Sequence, residues 1–362
     1  MKFDKQIQAI KLCVLCFPYY PSKDTGRGHD RYIFELIENI KASYQHVQVE
    51  VLEQGIAKGL RAAGGKLLKS LAQLVAARAD VYHATSPMGG ATAIMLGKSP
   101  LVVTIHDLIP FHVTDYDYSW KYQYIRFCTK LCVSKSDAIV VPYQVTRDEV
   151  INSLGADPAK VHVVSYGVDH ATYHPKPELK RSPLEVLYIG EVSRSKGVDV
   201  LIEAFATIER RVPGAQLVIG GKTNKDQPLL EDLSRKLGVR NITFKGFVPE
   251  DELATYYSST AVMVFPSRYG FGLSVLEAMS CGTPVVVAAA LDAPEFIADA
   301  GMLVQPGDAV ELADAIVRLL TDTQFREQLA QKGFERAQGF SWSNMAAETS
   351  KLYEQLLARR RD

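Results

Sequence analysis

The chain has 362 residues, a length that allows two domains of ordinary size, each with its own hydrophobic core. Its 41 basic and 41 acidic residues give a formal net charge of zero, which argues against general nucleic-acid binding. No apolar run is as long as a membrane span, the N-terminus lacks a signal-peptide layout, and the five cysteines are an odd number, so we expect a cytoplasmic protein in a reducing compartment.

The first predicted elements are a buried strand, a loop that contains Gly26 and Gly28, and a helix over residues 29–44. The loop is not a full Gly-x-Gly-x-x-Gly fingerprint, so by itself it is a weak sign of a phosphate site, and a flexible surface loop is the alternative. Cys13 and Cys16 lie three positions apart in the strand and point to opposite faces, which argues against a shared metal or redox site.

A basic stretch follows at 56–79, with five Lys or Arg residues, no acidic residue and an apolar stripe. One hypothesis is an amphipathic helix that lies on an anionic membrane surface. The alternative is a helix that packs against the core and exposes a solvated basic face.

A short strand over 101–105 ends at His106. Functional groups in parallel sheets lie just beyond the carboxyl ends of the strands, so His106 is a candidate site residue, with a capping or core histidine as the alternative. Asp115 and Asp117 form an Asp-x-Asp pair in a tyrosine-rich stretch. No second cluster of oxygen ligands accompanies them in the sequence, and we predict no metal site.

Prolines and scattered charges at 171–183 predict a linker. It separates a first domain at 1–170 from a second at 184–340, and a last amphipathic helix follows at 341–362. The second domain begins with a strand, a loop that carries Arg194 and Lys196, and a helix, which again is the pattern of a phosphate-binding turn. Solvated loop charges are the alternative for Arg194 and Lys196.

The stretch over 261–290 has the clearest pattern of the chain, with a buried strand, a turn at Gly270 and Gly272, a helix and a second buried strand. Glycines let a diphosphate approach the amides at the helix N-terminus, where the helix dipole favours negative charge. Glu277 lies one turn further along, away from the apolar face. Its carboxylate is therefore either a ribose ligand or an ordinary solvated side chain.

The segment GFGLSVLEAMSCGTPVV at 270–286 resembles the signature of the retaining glycosyltransferase family 4, the group 1 glycosyl transferases. The resemblance implies an α/β protein of the GT-B fold, in which two Rossmann-like domains with parallel sheets face each other across a cleft. It further implies that the last helix returns to the first domain, which binds the acceptor, and that the second domain binds the nucleotide sugar.

The resemblance also implies roles for single residues. His106 matches the active-site histidine that faces the donor sugar, Lys196 matches a lysine beside the diphosphate, and the backbone near Val248 meets the base. Arg194 is a candidate for the same catalytic group as Lys196. The residues implied in donor binding are Gly26, Gly28, Val248, Tyr269, Gly270, Phe271, Gly272, Leu273 and Glu277.

Two positions depart from the family pattern. The first glutamate of its Glu-x7-Glu signature is replaced by Tyr269, or is deleted from a loop that is one residue short. In the first loop of the second domain, the family usually has an arginine directly after the glycine, and this chain has Glu191 there. Arg194 is a candidate to supply the missing positive charge. These departures bear on the contact with the donor sugar and on catalysis, and they leave the fold prediction unchanged.

We therefore predict that the protein is a retaining, metal-independent transferase without a cofactor. It moves a glucose- or mannose-like hexose from a UDP- or GDP-linked donor to a glycan or lipid-linked acceptor, in polysaccharide or glycolipid synthesis. Peripheral association with the inner face of the membrane through 56–79 is a further hypothesis. The alternatives are a catalytically impaired nucleotide-sugar-binding protein and a dinucleotide-dependent oxidoreductase, whose full glycine fingerprint neither loop supplies.

Overall fold

A computed structural model describes residues 9–16, 28–52, 69–112, 120–270 and 272–360. The chain forms two compact units, of which the first combines Met1–Tyr166 with Trp342–Asp362 and the second is Gly167–Ser341. The chain therefore leaves the first unit after Tyr166 and re-enters it at Trp342.

The first unit is built on a six-stranded parallel sheet with the order β2-β1-β3-β4-β5-β6. Most positions in its central strands are buried aliphatic residues, which is the composition of parallel strands covered on both faces. The order reverses between β1 and β3, so the carboxyl ends of these strands flank a topological switch point. The strands are β1 (Ile10–Leu15), β2 (Val47–Leu52), β3 (Val81–Ala84), β4 (Leu101–Thr104), β5 (Ala138–Val141) and β6 (Val161–Val163).

Helices cover this sheet, and residues 69–76 are also helical. The last helix of the chain, α13, packs against α1, and both bury an apolar face in the same unit. The predicted return of the last helix to the first domain is thus confirmed. The helices are α1 (Gly28–Ser43), α2 (Pro87–Met95), α3 (Ile109–His112), α4 (Trp120–Lys135), α5 (Gln144–Leu154) and α13 (Trp342–Arg359).

The second unit has its own six-stranded parallel sheet with the order β12-β11-β10-β7-β8-β9. The chain runs outward from β7 to one edge and from β10 to the other, so the switch point lies at the carboxyl ends of β7 and β10. The strands are β7 (Glu185–Ile189), β8 (Gln216–Gly220), β9 (Ile242–Gly246), β10 (Val262–Phe265), β11 (Val285–Ala288) and β12 (Met302–Val304).

Helices in the second unit form because apolar residues recur on one face of each segment. In α6, for example, Leu201, Phe205 and Ile208 are fully buried and pack with α11 against the sheet. The helices are α6 (Val198–Arg211), α7 (Gln227–Lys236), α8 (Glu250–Ser259), α9 (Leu273–Ser280), α10 (Ala293–Ile297), α11 (Ala309–Thr321) and α12 (Thr323–Ala337).

The predicted α/β architecture with two parallel sheets is confirmed by these two units. In the ranges that the structure describes, no helix combines the length and the hydropathy needed to cross a bilayer.

Candidate active site

The loops that follow β7 and β10 meet at the switch point of the second sheet. The Nζ atom of Lys196 donates a hydrogen bond to the carbonyl oxygen of Tyr269 at 2.9 Å. The two residues are 73 positions apart in the sequence and are neighbours because β7 and β10 pair directly. The ammonium group of Lys196 therefore lies beside the turn that leads into α9.

Two glycines make this close approach possible. Gly197 has a φ of 72°, and a Cβ atom there would fall 2.5 Å from the carbonyl oxygen of Pro266. Gly272, the residue before α9, has a φ of 67°, and a Cβ atom would fall 2.4 Å from the ring of Phe296. A side chain at either position would push the two loops apart or strain the backbone.

The turn before α9 is also held by its own side chains. The hydroxyl of Ser267 donates to the carbonyl oxygen of Tyr269 at 2.5 Å and accepts from the Tyr269 amide at 3.1 Å. Gly270 has a φ of 139°, a backbone conformation that favours glycine. The first turn of a helix presents amides and the positive end of the dipole, so the start of α9 at Leu273 carries a partial positive charge beside this turn.

Glu277 is half-buried on α9 and is oriented by a residue that the sequence did not reveal. The hydroxyl of Tyr257, which is fully buried, donates to Oε2 of Glu277 at 3.0 Å. Burial, and secondly the charge of Glu277, raise the pKa of Tyr257 well above its ordinary value, so the phenol remains a donor. Tyr257 thereby holds one carboxylate oxygen of Glu277 in place.

Arg194 and Glu191 have partners of their own within the second unit. The Nε atom of Arg194 lies 3.3 Å from Oδ2 of Asp199, and the side chain of Arg194 is 65% exposed. The Oε1 atom of Glu191 accepts a hydrogen bond from the side chain of Asn224 at 2.8 Å. These contacts direct Arg194 to Asp199, whereas Lys196 binds the turn before α9.

Val248 is buried and follows the turn at Gly246, which has a φ of 76°. The carbonyl oxygen of Gly246 accepts from the amide of Gly221 at 2.8 Å, so this turn is anchored to the end of β8. Gly26, Phe271 and the pair Asp115 and Asp117 lie outside the described residues, as do residues 56–68 of the predicted basic stretch.

His106 follows β4 in the first unit and is 3% exposed. Its Nε2 atom lies 3.0 Å from the carbonyl oxygen of Thr85, and its Nδ1 atom lies 2.7 Å from the hydroxyl of Tyr166. The rings of His29 and Tyr32 meet it edge-on at 4.5 and 4.8 Å. Burial lowers the pKa of His106 to about 4, so the imidazole is neutral at neutral pH.

Gly28, the first residue of α1, directly precedes His29, which contacts His106. The structure thus brings the start of α1 and His106 together at the carboxyl side of the first sheet. His29 has no counterpart among the sequence predictions, because its contact with His106 depends on the strand order.

A second buried histidine, His83 on β3, forms a polar cluster that the sequence did not predict. Its Nδ1 atom lies 2.5 Å from the hydroxyl of Tyr353, and its Nε2 atom lies 2.8 Å from Oγ1 of Thr104. Tyr32 shares the same Thr104 hydroxyl at 3.0 Å. Burial lowers the pKa of His83 to about 3. The cluster anchors α13 to the first sheet through polar contacts.

Comparisons with known proteins identify the family and the fold of the chain. A model of the group 1 glycosyl transferases matches residues 169–336, and a glycosyl transferase 4-like domain matches residues 13–167. The O-antigen chain mannosyltransferase B of Escherichia coli is 28% identical over 70% of this chain and 70% of its own length. The D-inositol 3-phosphate glycosyltransferase of Corynebacterium aurimucosum is 33% identical over 76% of this chain and 71% of its own.

Solved structures with the same fold include a sucrose-phosphate synthase from Thermosynechococcus elongatus, with a TM-score of 0.80, 23% identity and coverage of 97% of this chain and 100% of that one. Another is the HepE protein of Anabaena in complex with UDP and glucose, with a TM-score of 0.75, 21% identity and coverage of 96% and 100%. These likenesses, with those of the family models, confirm the predicted GT-B fold.

Proposed function

Because the chain belongs to the group 1 glycosyl transferases, and is therefore a glycosyltransferase, we propose that it transfers a glucose- or mannose-like hexose from a UDP- or GDP-linked donor with retention of configuration. The observation that carries this proposal is the contact of Lys196 with the Tyr269 turn at the start of α9. The acceptor is a glycan or a lipid-linked sugar, in line with the mannosyltransferase that the chain resembles.

The donor diphosphate binds at the switch point of the second unit. The departing nucleotide diphosphate gains negative charge in the transition state, and the ammonium of Lys196 and the N-terminus of α9 lie where that charge develops. Lys196 and the loop amides stabilise it directly, so the proposed reaction requires no metal. Arg194 contributes to the local field from its pair with Asp199.

The ribose of the donor binds to Glu277. Tyr257 orients its carboxylate by donating to Oε2, and the carboxylate accepts hydrogen bonds from the ribose hydroxyls. The base lies against the backbone near Val248, where main-chain groups after β9 recognise it. Donor binding is thus assigned chiefly to the second unit and acceptor binding to the first.

His106 is the residue of the first unit that we assign to the donor sugar. With a lowered pKa and both ring nitrogens engaged by Thr85 and Tyr166, it does not act as a general base at neutral pH. We therefore propose that an oxygen of the leaving phosphate accepts the proton of the acceptor hydroxyl. His106 contributes by its fixed position.

Association with an anionic membrane surface is proposed as well, because α4 carries an exposed aromatic stripe. Trp120 is 80% exposed, and Tyr124 and Phe127 follow it at helical spacing and are also exposed. The helix contains four Lys or Arg residues and no acidic residue. An aromatic and basic face of this kind fits lipid headgroups, where a lipid-linked acceptor resides.

Sedimentation with vesicles that contain phosphatidylglycerol tests the membrane proposal. The protein is expected to sediment at low salt, and a Trp120→Ser, Phe127→Ser double variant is expected to remain in solution. The matched control is Val310→Ser, which changes an exposed apolar residue of the second unit that is 72% exposed. Equal sedimentation of the double variant and the wild-type protein would contradict the proposal.

A nucleotide screen tests the transferase proposal. Thermal stability is measured with UDP, GDP, ADP and dTDP, each with and without EDTA. A ligand at about 100 times its dissociation constant stabilises the folded state by roughly 2.7 kcal/mol, which is a measurable shift. One preferred nucleotide, unaffected by EDTA, identifies the base and supports transfer without a metal. The absence of any shift would refute the proposed donor site.

Hydrolysis of the matching nucleotide sugar separates the enzyme from a nucleotide-sugar-binding protein without catalysis. The departures at Tyr269 and Glu191 are the reason for this second assay. Binding of the nucleotide sugar with no release of the nucleotide diphosphate, even with acceptor present, would favour the binding protein.

A further inference from the structure

The hydrogen bonds of His106 define which ring nitrogen carries its proton. A carbonyl oxygen only accepts hydrogen bonds, so the 3.0 Å contact with Thr85 requires a proton on Nε2 of His106. The neutral imidazole then has an unprotonated Nδ1, which accepts a hydrogen bond from the hydroxyl of Tyr166. The nitrogen and the hydroxyl oxygen are 2.7 Å apart. His106 is thereby held in a single tautomer and a single ring orientation.

Tyr166 is well placed to impose this state. It is 2% exposed, and its ring lies nearly parallel to that of His106, with 24° between the ring planes and 6.0 Å between the centroids. The rings of Tyr143, Tyr32 and Trp342 surround it at centroid distances of 6.0, 5.7 and 6.4 Å. Packed on several sides, the phenol has little freedom to turn its hydroxyl away from His106.

We propose that Tyr166 is a positioning residue that fixes His106 as the Nε2–H tautomer and holds its ring in the orientation needed for transfer. The inference rests on the proposed function insofar as His106 serves the donor sugar. Tyr166 is the last residue of the first unit before the chain leaves it, and Trp342 is the first residue after the chain returns. The side chain that orients His106 thus belongs to the segment where the chain passes between the two units.

The chain provides its own control in a second pair of the same chemistry. Tyr353 lies with its hydroxyl 2.5 Å from Nδ1 of His83 and is 1% exposed, so it is as deeply buried as Tyr166. Removing the hydroxyl of Tyr166 or of Tyr353 takes away the tyrosine partner of one buried imidazole, that of His106 or that of His83. The two substitutions should therefore have similar effects on folding, whereas only Tyr166→Phe affects His106.

The experiment compares Tyr166→Phe and Tyr353→Phe in the full chain, first by nitrogen-15 spectra of labelled histidine. A His106→Gln variant identifies the signals of His106. In the wild-type protein, Nε2 of His106 is expected to be protonated and Nδ1 to be an unprotonated, hydrogen-bonded nitrogen. In Tyr166→Phe, the Nδ1 signal is expected to move downfield to the position of a nitrogen without a donor, and in Tyr353→Phe it is expected to stay unchanged.

Transfer kinetics provide the second readout, with the donor found by the nucleotide screen. Loss of ring orientation in Tyr166→Phe is expected to lower kcat by roughly tenfold to a hundredfold with little change in KM for the donor. Tyr353→Phe, with a similar shift of its urea midpoint, is expected to retain the wild-type kcat.

The nitrogen-15 spectra test the tautomer of His106, and the transfer kinetics test the positioning role of Tyr166, so either one can be refuted without the other. An unchanged Nδ1 signal in Tyr166→Phe, or a wild-type His106 with the proton on Nδ1, would overturn the assignment of the tautomer whether or not the protein transfers hexose. An equal loss of kcat in both variants would show a general packing effect and would overturn the positioning role. Absence of transfer with every donor, with the expected spectra, would refute the proposed function and leave the tautomer assignment supported.

Discussion

Two buried histidines in the first unit should make its stability fall steeply with acid. Burial lowers the folded-state pKa of His83 to about 3 and that of His106 to about 4, from an ordinary value of 6.5. As the pH falls through 6.5, the unfolded chain binds protons that the folded chain does not accept. The two neutral histidines therefore make their full contribution to the free energy of unfolding above pH 6.5. That contribution is lost as the pH falls from 6.5 toward the folded-state pKa values of about 3 and about 4.

The size of the effect follows from the same pKa values. At about pH 5, each histidine that stays neutral in the folded state lowers the free energy of unfolding by about 2 kcal/mol relative to neutral pH, or about 4 kcal/mol for the two. His162, whose pKa burial also lowers, adds a contribution of the same sign. The substitution His83→Gln removes one titrating group and should reduce the loss between about pH 7 and about pH 5 by about 2 kcal/mol.

Tryptophan fluorescence in a urea titration measures the free energy of unfolding of the first unit. Both tryptophans of the chain, Trp120 and Trp342, belong to the first unit, and Trp342 is 5% exposed in the folded state. The wild-type protein and His83→Gln are titrated with urea at about pH 7 and about pH 5.

The control is Tyr353→Phe, which removes the hydrogen bond to His83 and keeps the titrating ring. It should be less stable at both pH values, with the wild-type difference between them. A pH dependence in His83→Gln as steep as that of the wild-type protein would refute the assignment of the acid sensitivity to His83.

Three further predictions concern the second unit. Lys196→Ala should lower kcat by about 10²–10³-fold, because it removes the proposed contact to the departing diphosphate. Lys225→Ala, in an exposed loop, should keep the wild-type rate in the same assay. Glu277→Gln should weaken the binding of UDP or GDP, measured by calorimetry, by roughly tenfold to a hundredfold. The variant should bind the 2′,3′-dideoxy form of the nucleotide as tightly as the wild-type protein does. If the variant prefers the ordinary nucleotide to the dideoxy form as strongly as the wild-type protein, ribose binding by Glu277 is contradicted. Gly272→Ala should lower the urea midpoint, with a cost of about 1–3 kcal/mol, since it combines a φ of 67° with a clash against Phe296, and an unaltered midpoint would show that the turn before α9 adapts.

Local pattern was sufficient to predict the glycine turn before α9 and the helix that follows it. The buried strand β10, the turn at Gly270 and Gly272 and the apolar spacing of α9 all lie within one short segment, and each depends on backbone preferences and on side-chain period. The sequence also predicted two α/β units with parallel sheets, because strands that are buried on both faces are continuous apolar runs in the sequence.

The convergence of Lys196 with the Tyr269 turn was predicted only in outline. That the two loops share a sheet edge follows from the parallel pattern, whereas the hydrogen bond itself depends on β7 and β10 being direct neighbours. Arg194 shows the limit of such reasoning, because it lies two positions from Lys196 and yet pairs with Asp199. A loop charge is directed by the geometry of its turn, which periodicity does not describe.

Local periodicity and one contiguous motif were enough to predict the fold class, the family and the strand ends at which the predicted site residues lie. The hydrogen bonds and the protonation state of those residues depend instead on contacts between distant parts of the chain. His106 is a neutral Nε2–H imidazole because Thr85 and Tyr166, 21 and 60 positions away, meet its two nitrogens. Tyr257, 20 positions from Glu277, orients that carboxylate. Hydrogen bonds act over about 3 Å, and which groups come within that distance is set by strand order and helix packing.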